Sequence, residues 1–326
     1  MRKILTYLLL LSICVMAAAC STQSVKEEEK PAVKIGMMMS DVGLGDQSFS
    51  DVGFAGLEKA RDEMGIVFDY REIQETKTYE QGLEELVKQD NQLVIGLGFA
   101  MQEALETVAK KYPKQQFLII DAVSELPNVH SVTFKEEEGS FLIGVLAGMK
   151  TKTNKIGFIG GMDVPVIRKF EKGFVEGVKQ VNPQATIMSA YANDFGNDQL
   201  GKQMGKQMID QGVDIIYPAA GFTGVGVLLE AQSRGKYAFG VDTDQYFLAE
   251  KAVLSSMLKK IDVAVYDVAK QLVQNGKLAQ KDMVLGIAQN GVGLAPVRVL
   301  PLSEQEKGTL EQLEEKLKSG SIQIKP

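Results

Sequence analysis

Three aspartates stand directly behind short apolar runs: Asp41 after Lys-Ile-Gly-Met-Met-Met-Ser, Asp121 after Phe-Leu-Ile-Ile, and Asp242, with Asp244 close by, after Tyr-Ala-Phe-Gly-Val. A carboxylate can accept two hydroxyl hydrogen bonds, each worth about 1.5–3 kcal/mol when the acceptor is charged. One such aspartate is as readily a helix cap. Three of them behind three separate runs point to a shared site for a polyhydroxyl ligand. The segment Ile215-Ile-Tyr-Pro-Ala-Ala-Gly221-Phe-Thr-Gly-Val-Gly226 leads from an apolar run through a glycine-rich turn toward a helix. Free backbone N–H groups there would face a ligand, although a tight turn alone would use the same glycines.

Catalytic chemistry is poorly supplied. His130 is the only histidine and falls inside a predicted strand, while both cysteines, Cys14 and Cys20, lie in the first 20 residues. A Ser-His-Asp or Cys-His device would need His130, and no stretch near it has the form of a nucleophile elbow. Paired His or Cys metal ligands are excluded by count, and no calcium-loop spacing occurs. Gly196-Asn-Asp-Gln-Leu-Gly201-Lys202 has the spacing of a phosphate-binding loop, but Gln203 stands where a magnesium-binding hydroxyl is required. That stretch reads as a helix start. The expectation is a protein that is not an enzyme, with no cofactor and no metal.

The elements that must position these aspartates alternate along the chain. Apolar runs at residues 33–39, 67–71, 93–96, 117–120, 129–134, 155–159, 186–191, 215–218, 237–241 and 253–257 read as strands. Between them, residues 53–64, 79–88, 101–112, 166–180, 199–211, 225–232 and 261–275 read as amphipathic helices. Such alternation implies α/β architecture with parallel sheets, and ligands of doubly wound sheets bind at the carboxyl ends of the strands. The polar Thr-Lys-Thr-Asn at 151–154 suggests a soft boundary between two doubly wound lobes joined by a hinge. The first lobe is expected at 33–150 with part of 245–285, and the second at 151–244 with part of 286–320.

Arg2 and Lys3, an apolar stretch over residues 4–16, then Ala17, Ala18, Ala19 and Cys20 form the layout of a secretory signal peptide over 1–19. The apolar stretch is shorter than the roughly 20 residues a spanning helix needs. Cys20 behind three small residues resembles the bacterial lipobox, which implies lipidation of Cys20 and an anchor on the extracytoplasmic face of the cell membrane. Residues 20–32 are polar and aperiodic and read as a tether. Net charge is −6 with lysine and arginine spread through the chain, which argues against a nucleic-acid partner.

Several multi-residue segments carry a family resemblance: Asp41-Val-Gly-Leu-Gly-Asp-Gln-Ser-Phe49, Gly98-Phe99, Phe117-Leu-Ile-Ile-Asp121, Val132-Thr-Phe-Lys-Glu-Glu-Glu-Gly139, Gly157-Phe-Ile-Gly-Gly161 with Pro165, Ala220-Gly221-Phe-Thr-Gly224 and Gly240-Val-Asp-Thr-Asp-Gln245. In this order they resemble the basic membrane protein family of solute-binding lipoproteins, which includes purine nucleoside receptors. The resemblance implies a type I periplasmic-binding-protein fold with three hinge crossings. It also implies a purine nucleoside (guanosine, inosine or adenosine) between the lobes, and an ABC permease as partner. Carried over residue by residue, it implies Phe49 as a stacking ring and Asp41 and Asp121 as polar contacts from the first lobe. Gly221, Thr223 and Gly224 would line the second lobe, Asp242 would hold the ribose, and Lys259 would add a polar contact. Ser50 and Phe222 depart from the usual Asn and Gly, which leaves Phe222 or Tyr217 as the second ring. A membrane-anchored sensory or regulatory protein of the same fold is the alternative.

Overall fold

The computed structural model describes residues 32–324, so the signal peptide, Cys20 and most of the tether lie outside the described residues. Strands β1 (Lys34–Met38), β2 (Val67–Arg71), β3 (Leu93–Leu97), β4 (Gln116–Ile120) and β5 (Val129–Phe134) form one parallel sheet. A second is built from β6 (Lys155–Gly160), β7 (Thr186–Tyr191), β8 (Ile215–Ala219), β9 (Tyr237–Asp242) and β10 (Val253–Lys259). Each sheet gains one late strand: β11 (Asp282–Leu285) pairs parallel with β5, and β12 (Val292–Leu294) pairs antiparallel with β10. The orders β11-β5-β4-β3-β1-β2 and β12-β10-β9-β8-β6-β7 match strand for strand. This is an α/β, type I periplasmic-binding-protein fold.

The helices follow from the same alternation: α1 (Phe49–Met64), α2 (Tyr79–Lys88), α3 (Gln102–Lys111), α4 (Glu136–Lys150), α5 (Pro165–Val181), α6 (Asp198–Asp210), α7 (Gly221–Ser233), α8 (Ile261–Asn275) and α9 (Glu304–Lys318). Strand side chains alternate between faces. Thus Met37, Ile95 and Leu118 enter one core, while Met38, Val94 and Phe117 pack on the far side with Leu83 and Leu105 of α2 and α3. Among the described residues no helix is long and apolar enough to cross a membrane.

The chain crosses between sheets three times: at Lys135 between β5 and α4, at Lys260 between β10 and α8, and between β11 and β12. The first crossing does not fall at 151–154. Helix α4 already packs on α5, β10 and β12 of the second sheet, and the polar 151–154 stretch is only its exit. The strand Val253–Lys259 likewise belongs to the second sheet, beyond residue 244. Helix α8 returns to lie on α1, where Gly56 has no room for a Cβ against the Asp262 carbonyl.

Helix α4 is apolar almost all round and buried from Glu136 to Gly148, as a helix covered on every side must be. It meets α5 at backbone distance. A Cβ on Gly177 would overlap the Phe141 carbonyl oxygen, and one on Gly144 would overlap that of Phe174. Intrinsic propensity favours alanine over glycine in a helix by up to about 1 kcal/mol, whereas overpacking costs about 1–3 kcal/mol. Gly177→Ala is therefore expected to lower the urea midpoint with an unchanged slope. A raised midpoint would show that α4 and α5 can move apart at no cost.

Candidate functional site

Between the carboxyl ends of the two sheets lies a cleft whose empty space, open mouth included, is about 780 Å³. From the first sheet it is lined by Asp41, Asp46, Phe49, Phe99 and Asp121. The second contributes Ile167, Phe170, Phe195, Gly221, Asp242 and Lys259. The two sides already touch. Ser48 Oγ donates to Asp242 Oδ2 at 2.5 Å, Gln245 Nε2 donates to the Gln47 carbonyl at 3.0 Å, and the Phe99 and Phe195 rings meet edge to face with centroids 6.4 Å apart.

Asp121 and Asp242 occupy equivalent places, one just behind β4 and the other ending β9. Both have left-handed backbone, with φ of 68° and 65°. Aspartate tolerates this region better than most residues, but the conformation costs about 1–3 kcal/mol. Each carboxylate is turned out of its strand into the cleft. Burial pushes Asp242 up to about 6, against the pull of Lys259 and the Ser48 hydroxyl, with Asp46 and Asp121 adding to the rise. Asp121 is raised by burial as well, and its Oδ1 is buried without a hydrogen-bond partner.

Lys259 ends β10 with its side chain only 2% exposed. Its Nζ stands 2.6 Å from Asp121 Oδ2 and 2.9 Å from Glu136 Oε1, within 5.1–5.6 Å of the centroids of Phe134, Phe49 and Phe170. Burial alone would lower its pKa, but Asp121, Glu136 and Asp242 outweigh burial and hold it above the usual lysine range. Asp121 is nevertheless raised although it pairs with this cation, because burial and the nearby Glu136 outweigh the pull of Lys259 and Lys169. The charge therefore stays on Lys259. Asp46 is already engaged, accepting from the amides of Ser48, Ser50 and Asp51 at the start of α1. Asp41 lies exposed at the mouth and accepts from the Val42 amide.

Of the expected site residues, Asp41, Phe49, Asp121, Gly221, Asp242 and Lys259 come together here. Tyr217 does not. It points from β8 into the core against Phe174 and Phe158, with its hydroxyl 3.2 Å from Ser140 Oγ. Phe222, Thr223 and Gly224 do not line the cleft either, because α7 begins at Gly221 and its first turn carries them away. Thr223 instead braces the loop before α6: its hydroxyl donates to the Asp194 carbonyl, and its amide donates to that of Phe195.

That loop carries Phe195, which the sequence reading missed. Its ring fits over Gly161, where a Cβ would overlap it, and lies beside Gly221. Phe99 follows Gly98, whose φ of 115° needs glycine, in the short 3₁₀ turn behind β3. The rings that face each other in the cleft are thus Phe99 and Phe195. The Gly196–Lys202 stretch is a helix start, with Asn197 capping the Leu200 amide.

A family profile described as "ABC transporter substrate-binding protein PnrA-like" matches residues 32–326. The chain is 34% identical over 312 residues to a CD4+ T-cell-stimulating antigen of Listeria monocytogenes, covering 89% of this chain and 87% of that one. It is 32% identical over 306 residues to the ABC transporter nucleoside-binding protein BmpA of Lactococcus lactis, covering 86% and 87%. A crystal structure of an ABC transporter solute-binding protein from Aeropyrum pernix superposes with a TM-score of 0.81 at 28% identity, covering 89% and 92%.

The raised Asp242 has a consequence for stability. A folded-state carboxyl held above its unfolded value binds its proton more tightly than the unfolded chain does. Stability from this group is therefore present at low pH and lost as pH rises through about 6. Asp242→Asn keeps an oxygen for Ser48 and removes the buried charge. It should melt at higher temperature than the wild type at pH 7.5, with the difference shrinking toward pH 4. Calorimetric scans that show a constant difference, or a less stable variant at pH 7.5, would contradict a destabilising buried charge.

Proposed function

We propose that this chain, which belongs to the family of PnrA-like ABC transporter substrate-binding proteins, captures a purine nucleoside in the cleft and presents it to an ABC permease. The observation that carries this reading is the pairing of aromatic walls with carboxylate oxygens that still have capacity to accept. Phe49, Phe99 and Phe195 supply faces and edges for a flat base, while Asp242 and the bare Oδ1 of Asp121 await donors. The cation among the cleft-lining residues, Lys259, is already held by two carboxylates. A phosphate would meet like charge there, so the nucleoside is favoured over the nucleotide. The nucleoside-binding relative from Lactococcus lactis supports the same class.

Asp242 is the proposed ribose clamp. One of its oxygens accepts from Ser48 across the cleft, and the carboxylate has further acceptor capacity for the 2′ and 3′ hydroxyls. Closure of the lobes follows from a site whose walls come from both, because the ligand then makes contacts in the closed state that an open state lacks.

Titration calorimetry with guanosine, inosine and adenosine tests the reading. Asp242→Ala is expected to weaken nucleoside binding by roughly two to four orders of magnitude, the loss of two charge-assisted hydrogen bonds. A 2′,3′-dideoxynucleoside should bind poorly to the wild type and lose little more in the variant. Phe195→Ala should weaken all three nucleosides, since base stacking contributes about 1–3 kcal/mol per ring. Equal loss of ribose and dideoxyribose ligands in Asp242→Ala would remove the clamp. Absence of binding to all three nucleosides would remove the ligand class.

The location proposed for this activity is the extracytoplasmic face of the cell membrane, through a lipidated Cys20. Two acyl chains hold a soluble domain stably where a single one does not. Cys20→Ser should release the protein into the soluble fraction; retention on washed membranes after high salt would exclude the lipid anchor.

A further inference from the structure

The run Lys135-Glu-Glu-Glu138 sits where the chain first crosses between the sheets, and its glutamates occupy the first turn of α4. Carboxylates are favoured there by the helix dipole, yet two of them reach much further. Glu138 Oε2 accepts from the Ile287 amide at 2.8 Å, in the third crossing, and its Oε1 accepts from Lys135 Nζ. Glu136, only 1% exposed, lies between two ammonium groups: Lys259 Nζ at 2.9 Å and Lys169 Nζ of α5 at 3.2 Å. Glu136 is not among the residues lining the cleft, so any effect on the ligand passes through Lys259.

Lys259 has two claims on it. Asp121 belongs to the first sheet and Glu136 packs with the second, so the ammonium is shared across the cleft. With Glu136 in place it meets Asp121 through Oδ2 alone, and Oδ1 stays buried and unpartnered. An ammonium freed from Glu136 could settle over both oxygens of Asp121. We propose that Glu136 is a positioning residue of the ligand site: it holds Lys259 back so that one oxygen of Asp121 remains bare to accept a hydrogen bond from the ligand.

The charged groups facing Lys259 come from four elements: Asp121 behind β4, Glu136 on α4 with Lys169 of α5 behind it, and Asp242 on β9, with Asp46 beyond Asp242. Within this set, the charge of Glu136 raises Asp121 and that of Lys169 lowers it. The two therefore push the acid sensitivity of the site in opposite directions. A residue that served only to fill space would move neither.

The inference rests on the nucleoside reading for its ligand, and its test has an arm that does not. In the first arm, the dissociation constant of the tightest-binding of guanosine, inosine and adenosine is compared at pH 7.5 and 5.5. Glu136→Gln is expected to weaken binding several-fold at pH 7.5 and to show a smaller rise on acidification than the wild type. Lys169→Gln is expected to show a larger rise. Glu138→Gln, on the same helical turn, should leave the ratio between the two pH values unchanged. In the second arm, carbon-13 NMR follows the Asp121 carboxyl in ligand-free protein, which should titrate at lower pH in Glu136→Gln. A wild type that binds no nucleoside defeats the ligand reading and leaves the NMR arm to decide this one. Wild-type titration of Asp121 in Glu136→Gln, or a Glu138→Gln variant that shifts the ratio equally, overturns the positioning role.

Discussion

A buried ammonium must have its counter-charges within reach, and in this protein the shape of the cleft follows from that need. Removing one partner of a buried ion pair costs about 3–5 kcal/mol, because the other charge is left uncompensated. Lys259 meets the requirement with Asp121 from one sheet and Glu136 beside the other. The pairing links β4, β10 and α4 at the first two crossings, and it draws together the edges of the sheets on which the ligand site stands. It also sets the electrostatic character of the cleft. Once Lys259 is engaged, what remains for a ligand is acceptor oxygen and aromatic surface.

The matching strand orders explain how two carboxylates come to face each other. Asp121 and Asp242 end equivalent strands of two sheets built to one plan, and both leave the strand in the left-handed region. A regular strand ending would continue the alternation and send the next side chain along the sheet face. The left-handed residue breaks that alternation at the carboxyl edge. The resulting strain and the burial of Asp242 are unfavourable for folding, and both are concentrated at the cleft, where functional sites commonly hold such costs. Close glycine contacts between α4 and α5 and between α1 and α8 supply rigidity around it.

How much of this was legible in the sequence depends on whether a feature is local. The aspartates behind apolar runs could be read directly, since a strand and its end are properties of a few consecutive residues. Phe49 and Lys259 came with the family resemblance. Phe195 was hidden, because its place depends on Gly161 behind β6 and on Gly221 and Thr223 at the start of α7, two segments remote from its own in the chain. Tyr217 was misplaced for the complementary reason: its strand was correctly located, but which face of that strand looks into the core is decided by α4 and α5.

The sequence by itself determined the α/β alternation, the apolar strands, the aspartates at their carboxyl ends and the shortage of catalytic groups, because each is a matter of residue type and short-range period. Only the tertiary structure decided that α4 crosses with the second sheet, that α7 begins at Gly221 and turns Phe222, Thr223 and Gly224 away, and that Phe99 faces Phe195. Those outcomes depend on which helices pack together and on where a glycine leaves room for a ring. Such contacts join residues far apart in the chain, and no local pattern encodes them.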